Sequence, residues 1–408
     1  MCFTKNHPLK SLTTRGLALL LALACFPALN GQLLAEELQV LNTFDSCNVA
    51  IGDEVAYMAA GNNGIVIVNL QTLELAGTIS PPAGSGSVDD ISVDDGLLFT
   101  LDGVSPGRLS VFSIADPFQP TLASSPTPVN VGPFAGVSAA NGRVVVSGGT
   151  GLLSAFTYDE NGSLSNSMST IDLGIGQPDV LISNDGDVAY VSTDFAGLVD
   201  GEPFGIAVVD LTNVPGPISI LDRVGIDGAG FTPGFASPAN FPVESAIQDN
   251  TLYVASGNGV SVFDVSNPSS VQTITEIPLA LNPVNVDVLD GELFVVSNSP
   301  TSTLTVIDVV DPMSPIIETS NRPAAGQPLG VAATDGVVVV ADGELGVVVC
   351  SSPLVLGDLN GDGSVNLLDV NPFIEVLGDG GFDPAADING DGVVNLLDVE
   401  GFIDLLSA

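Results

Sequence analysis

The sequence predicts an all-β chain, a seven-bladed β-propeller, followed by a small α-helical unit at the C-terminus. Three observations predict this. A short β-branched run, a Gly-rich turn and a second run ending near Asp or Asn recur seven times between residues 55 and 350. Helix-period patterns are almost absent from that stretch, while turn residues are abundant. Beyond it, an Asp- and Gly-rich loop occurs twice, each copy followed by an apolar stripe at helical spacing.

The N-terminus reads as an export signal. Lys5, Lys10 and Arg15 precede the apolar run Leu17 to Ala24, and small residues follow. Cleavage after Leu33-Leu34-Ala35 divides the chain into residues 1–35 (signal), 36–353 (propeller) and 354–408 (C-terminal unit). Ala22-Leu23-Ala24 before Cys25 is an alternative cleavage site, and there Cys25 is a candidate for lipidation. The apolar run is too short to span a bilayer, and no later segment reaches the required length, so no transmembrane segment is expected. The expected location is secreted or attached to the cell surface.

Charge narrows the chemistry. The 408 residues carry 48 Asp and Glu against 7 Lys and Arg, a formal charge of −41. Three of those cations and the sole His, His7, lie in the signal. The exported chain keeps Arg108, Arg143, Arg223 and Arg322 against the same 48 acids, a formal charge of −44 with no Lys and no His. Such a chain repels phosphate backbones, which argues against nucleic-acid binding. Histidine bases, Ser-His-Asp triads, zinc sites with His and Schiff-base lysines are all excluded. Carboxylates, hydroxyls, backbone groups and bound cations remain, and no catalytic residue is assigned.

The first runs of the seven copies start at Val55, Leu97, Val144, Val188, Leu252, Leu293 and Val337, at separations of 42, 47, 44, 64, 41 and 44 residues. This is a propeller period; a β-helix needs a much shorter repeat, and a sandwich gives no reason for seven similar units. In the fifth copy, Pro242 to Ile247 reads as the inner strand, Leu252 to Ala255 as the second, Val260 to Val265 as the third and Val271 to Ile277 as the outer one. Leu38 to Phe44 has the pattern of an outer strand without a blade of its own. It is expected to complete the seventh blade and close the ring, removing exposed edges. Cys47 and Cys350 fall on opposite faces in this strand order, too far apart for a disulfide.

The segments Gly64-Ile65-Val66-Ile67-Val68-Asn69-Leu70, Val262-Phe263-Asp264-Val265-Ser266-Asn267-Pro268 and Val306-Ile307-Asp308-Val309-Val310-Asp311-Pro312 resemble the LVIVD repeat family of secreted and surface propellers. That resemblance implies the fold and an extracytoplasmic setting. The fourth copy is lengthened at Asp194 to Phe204 and at Asp227 to Phe241, the latter carrying Phe231, Phe235 and Phe241. Both additions emerge on the face where the inner strands begin, which brings Asp90, Asp179 and Glu244 towards the channel mouth. A carboxylate rim beside aromatic loops can hold a cation, a carbohydrate or a protein. The competing reading packs the phenylalanines under their own loop and leaves the acids solvated.

The duplicated loop runs from Asp358 to Asp369 and again, 29 residues later, from Asp387 to Asp398. Calcium needs several hard oxygen ligands at similar radius, and a tight loop supplies them at positions 1, 3, 5, 7, 9 and 12. Those positions are Asp358, Asn360, Asp362, Ser364, Asn366 and Asp369 in the first loop, and Asp387, Asn389, Asp391, Val393, Asn395 and Asp398 in the second. Ser364 and Val393 offer backbone carbonyls, and two Ca²⁺ ions are expected. Val370, Phe373, Ile374 and Leu377 recur as Val399, Phe402, Ile403 and Leu406, two stripes able to bury each other. So small a unit draws part of its folding free energy from metal.

A duplicated loop plus helix, without the entering helix of an EF-hand, resembles a type I dockerin over residues 357 to 406. That resemblance implies docking onto a cohesin-like or other envelope protein, often in assemblies that degrade polysaccharides. Where dockerins often carry hydroxyls after the ninth ligand, this chain has Leu367-Leu368 and Leu396-Leu397, either core or an apolar docking patch. The function expected is a non-enzymatic binding or scaffold protein. The alternative is a polysaccharide-acting enzyme, a carboxylate-based glycoside hydrolase or lyase, since two carboxylates suffice for that chemistry. The absence of Trp and the presence of only four Tyr weigh against a sugar platform.

Overall fold

A computed structural model describes residues 37–41, 48–52, 54–102, 107–129, 136–149, 151–173, 178–193, 198–199, 202–203, 205–224, 244–256, 259–279, 283–297, 303–321, 327–334, 337–343 and 346–351, then 357, 359, 365–379, 386, 388 and 394–406. The chain divides into two compact units, one holding the described residues up to Ser351 and one those from Gly357 onward.

The first unit is a seven-bladed propeller of antiparallel meanders. Blade 1 runs through Asn48–Ile51, Val55–Ala59, Ile65–Asn69 and Glu74–Ile79. Blade 2 begins with Asp90–Asp94, Leu97–Asp102 and Gly107–Ser113, and its outer strand is split into Thr121–Leu122 and Thr127–Val129, both paired with the third. Blade 3 is Val137–Ala140, Arg143–Val146, Leu152–Thr157 and Ser169–Asp172. Blade 4 is Pro178–Ile182, Val188–Thr193, Ile206–Asp210 and Ser219–Val224. Blade 5 is Ser245–Gln248, Thr251–Ser256, Gly259–Asp264 and Gln272–Pro278, close to the strands read from its sequence. Blade 6 is Pro283–Leu289, Glu292–Ser297, Thr303–Asp308 and Ile316–Asn321.

Among the described residues, blade 7 has three strands of its own, Pro328–Thr334, Val337–Asp342 and Gly346–Ser351. Its fourth is the N-terminal strand Glu37–Leu41, with Leu41 opposite Val347, Val40 opposite Val348 and Gln39 opposite Val349. The ring therefore closes by the strand exchange expected from the sequence, and the described strand starts one residue before the expected Leu38. Residues 42–47, and with them Cys47, lie outside the described residues.

Packing explains why the second strands read as unbroken apolar runs. A blade is covered on both faces by its neighbours, so both sets of alternating side chains are buried. All five residues of Val55–Ala59 are buried. Tyr57, Ile65 and Ile67 of blade 1 meet Ile91, Leu98 and Phe112 of blade 2, whereas Ala56, Met58 and Val66 face Val339 and Val347 of blade 7. Among the described residues each of the seven seams has one such cluster.

The recurrent Asp or Asn that ends the third strand also has a physical role. Its side-chain oxygen accepts the amide two residues on, at 2.8–2.9 Å for Asn69, Asp210, Asp264 and Asp308, nucleating the turn into the outer strand. Beside that turn, blades 1, 4, 5 and 6 each carry a register shift between third and outer strands. Such bulges increase twist. The turns Asp95-Gly96, Asn141-Gly142 and Asp290-Gly291 have positive φ at both residues, the conformation for which Asp-Gly and Asn-Gly hairpins are suited.

In the second unit, helices α1 (Val370–Asp379) and α2 (Asp398–Leu405) pack through Phe373, Ala386, Val394 and Phe402. The two phenylalanine rings stack at 4.2 Å with an interplanar angle of 10°. Val370, Leu377, Val399 and Leu406 join this core. Ile374 and Ile403 do not; they are 57 % and 56 % exposed, so the expected stripe is narrower by one residue in each half.

Candidate functional site

The inner strands line the channel, and their channel-side amides have no strand to pair with. Side chains of the preceding blade accept several of them. Asp90 Oδ2 accepts Val137 N at 2.6 Å, Ser138 Oγ accepts Ile182 N at 3.0 Å, and Asp287 Oδ2 accepts Ala333 N at 2.7 Å. These contacts link blade 2 to 3, 3 to 4 and 6 to 7.

Asp90 opens the inner strand of blade 2, Asp179 lies one residue into that of blade 4, and Glu244 immediately precedes that of blade 5. The structure brings all three together at the mouth, as the strand order predicts, but Asp90 and Asp179 are buried there, against the reading that leaves these acids solvated. Asn48, which opens the inner strand of blade 1, donates to Asp90 Oδ1 at 2.6 Å and more loosely to Glu244 Oε1 at 3.5 Å. Ser245 Oγ donates to Asp179 Oδ2 at 3.5 Å. Asp90 is 6 % exposed and Asp179 3 %, whereas Glu244 keeps part of its surface open.

Burial raises the Asp90 carboxyl to about 7 despite the Val137 amide, and the charge of Asp179 adds to the rise. Burial likewise holds Glu244 well above the usual carboxylate range, reinforced by the charges of Asp179 and Asp90 and by a hydrogen bond with Asp179. Asp287 rises to about 6, chiefly through burial. Sequence reasoning missed Asn48 and Asp287, whose only signal is an inner-strand position. Of the two lengthened loops, Leu198–Val199 and Glu202–Pro203 form a small ribbon. Phe231, Phe235 and Phe241 lie outside the described residues.

The second candidate site is the pair of acidic loops. Asn366, Asp369, Asn395 and Asp398 are described; Asp358, Asn360, Asp362, Ser364, Asp387, Asn389, Asp391 and Val393 lie outside the described residues. Asp369 and Asp398 are fully buried. Asp369 Oδ2 accepts Asn366 N at 2.8 Å, and Asp398 Oδ2 accepts Asn395 N at the same distance. Asn366 and Asn395 each accept the amide two residues on at 2.9 Å, Leu368 and Leu397 respectively. The duplication in sequence is thus a duplication in geometry. Asp369 Oδ1 also accepts Leu359 N at 2.9 Å, so this carboxylate is turned back onto its loop. An all-oxygen donor set with buried carboxylates, in a segment lacking Lys, Arg and His, fits a hard divalent cation.

Leu367, Leu368, Leu396 and Leu397 are between 67 % and 81 % exposed. They are not core. With Ile374 and Ile403 they leave six large apolar side chains in water on a unit that already has its own core.

Comparison with known proteins places these features. Residues 356–406 match the family model of the dockerin type I domain. Dockerin type I domains bind calcium, pair with a cohesin and occur in extracellular or cell-surface assemblies. A search of curated proteins returns no match. Among solved structures, the chain is similar to one in a crystal structure of the mitotic checkpoint complex, with a TM-score of 0.57 and 11 % identity, covering 84 % of this chain and 99 % of that one. It is also similar to a streptogramin B lyase, with a TM-score of 0.55 and 12 % identity over 78 % of this chain and 97 % of that one. A virginiamycin B lyase from Staphylococcus aureus gives 0.55 and 11 % over 78 % and 99 %. These likenesses establish the propeller fold alone. Among the described residues no helix is long and apolar enough to cross a membrane.

Proposed function

We propose that this protein is an exported, non-enzymatic binding or scaffold component that is secreted or held at the cell surface. In this reading the propeller presents a face for a protein or carbohydrate ligand. The C-terminal unit attaches it to a cohesin-like or other envelope protein. Two Ca²⁺ ions, one in each twelve-residue loop, hold the unit in its docking-competent form. The observation that carries the reading is the exposed leucine pair repeated within each loop of a dockerin-type unit, just before its last ligand position. Apolar surface left in water by a unit with its own core marks a contact surface.

The test is binding of the full chain to a panel of cohesin domains with calcium present. Leu367→Ala with Leu396→Ala, which adds no charge to the loops, is expected to weaken capture by about a hundredfold, the size of an interface hot spot, while calcium affinity stays unchanged. Capture that survives both substitutions contradicts the docking surface.

The alternative, a carboxylate-based glycoside hydrolase or lyase, draws on one observation: Glu244, whose proton affinity is raised by burial, stands beside other carboxylates at the mouth. General acid catalysis needs such a group. That reading requires product release from a polysaccharide and its loss in Asp179→Asn.

A further inference from the structure

The mouth groups join blades that are not neighbours. Asn48 of blade 1 reaches Asp90 of blade 2 and Glu244 at the entry to blade 5, Asp90 holds the Val137 amide of blade 3, and Asp179 of blade 4 meets Glu244 and Ser245. Five of the seven blades thus meet through side chains at one level of the channel.

We propose that Asn48, Asp90, Asp179 and Glu244 form a proton-dependent clamp that tightens the channel mouth in mild acid and loosens it as pH rises. With Glu244 protonated, its O–H donates to Asp179 and ties blade 5 to blade 4. When that proton leaves to solvent, the tie becomes repulsion among three carboxylates. The charges acting on Glu244 are those of Asp179 and Asp90, both negative, and the neutral Asn48 amide is the donor that faces it. Asp287, on the inner strand of blade 6, is engaged with the Ala333 and Val288 amides. Burial and like charge both raise the proton affinity of Glu244, so the clamp is closed below its ordinary range and opens only above it.

The sign follows from linkage. A carboxyl whose folded affinity for the proton exceeds its unfolded one contributes stability that is complete below about pH 4 and is lost as pH rises through the folded value. The experiment is thermal unfolding of the full chain at saturating calcium and constant ionic strength. Wild type is expected to lose about 4 °C or more in propeller Tm between about pH 5 and about pH 8. Glu244→Gln keeps a donor towards Asp179 without a titrating proton, and should remove about half of that loss. Equal losses in wild type and variant, or a wild-type Tm that rises across the window, overturn the proposal. Infrared spectroscopy of the wild type gives a readout that no variant can spoil. A protonated carboxyl band that persists above the ordinary carboxylate range and is lost on further alkalinisation supports the clamp, and a band lost within that ordinary range contradicts it.

Discussion

Among the described residues, the propeller mouth and the C-terminal loops both bury carboxylates without a cation in ion-pair contact, and they resolve the cost differently. At the mouth, Asp90, Asp179 and Glu244 crowd one another, and proton binding relieves the repulsion. In the C-terminal unit, Asp369 and Asp398 accept backbone amides and sit in loops whose remaining donors are all oxygen. A buried charge persists only when it is paired, hydrogen-bonded or neutralised. The first group is suited to holding a proton and the second to holding a metal. The two units also differ in size of core: seven seams stabilise the ring, whereas one small cluster around Phe373 and Phe402 stabilises the helical pair.

The largest effect that separates the units is expected from the closing strand. Deleting residues 36–45 removes the outer strand of blade 7 and exposes the edge of Gly346–Ser351. Propeller Tm should fall by about 10 °C or more, while calcium affinity is unchanged. An unchanged Tm means that the ring does not depend on this strand.

A smaller effect is expected at Asp287. Its folded pKa, about 6, lies above the ordinary value of 3.8, so its contribution is complete below about pH 4 and lost as pH rises through about 6. Asp287→Asn keeps an oxygen for the Ala333 amide and cannot ionise. Solvent at the channel screens the group, so the gain in Tm at about pH 8 should be only about 2 °C, with none at about pH 4. A gain of equal size at both values indicates a packing effect instead.

Most of the ring was legible because the second strand of each blade is sandwiched between two neighbours and so reads as a continuous apolar run. Glu37–Leu41 was legible as a strand lacking a hairpin partner. The split outer strand of blade 2 was not, because outer strands face solvent and their composition is weakly constrained. Convergence of Asp90, Asp179 and Glu244 followed from strand order, but the role of Asn48 did not. Its contacts with residues 42 and 196 positions away depend on ring closure, which no local pattern encodes. In the C-terminal unit the spacing of Asp and Asn revealed the loops. The exposure of Ile374 and Ile403 was hidden by a helical stripe that is one residue wider than the surface it buries.

Calorimetric titration of calcium into the full chain tests the central claim most directly. Two ions per chain are expected, falling to one in Asp358→Ala or Asp387→Ala, and binding should be lost when both are replaced, since each loop then lacks its first carboxylate. A chain that takes up no calcium, or a double variant that binds two ions as tightly as wild type, contradicts the assignment of the loops and with it the calcium-dependent docking unit.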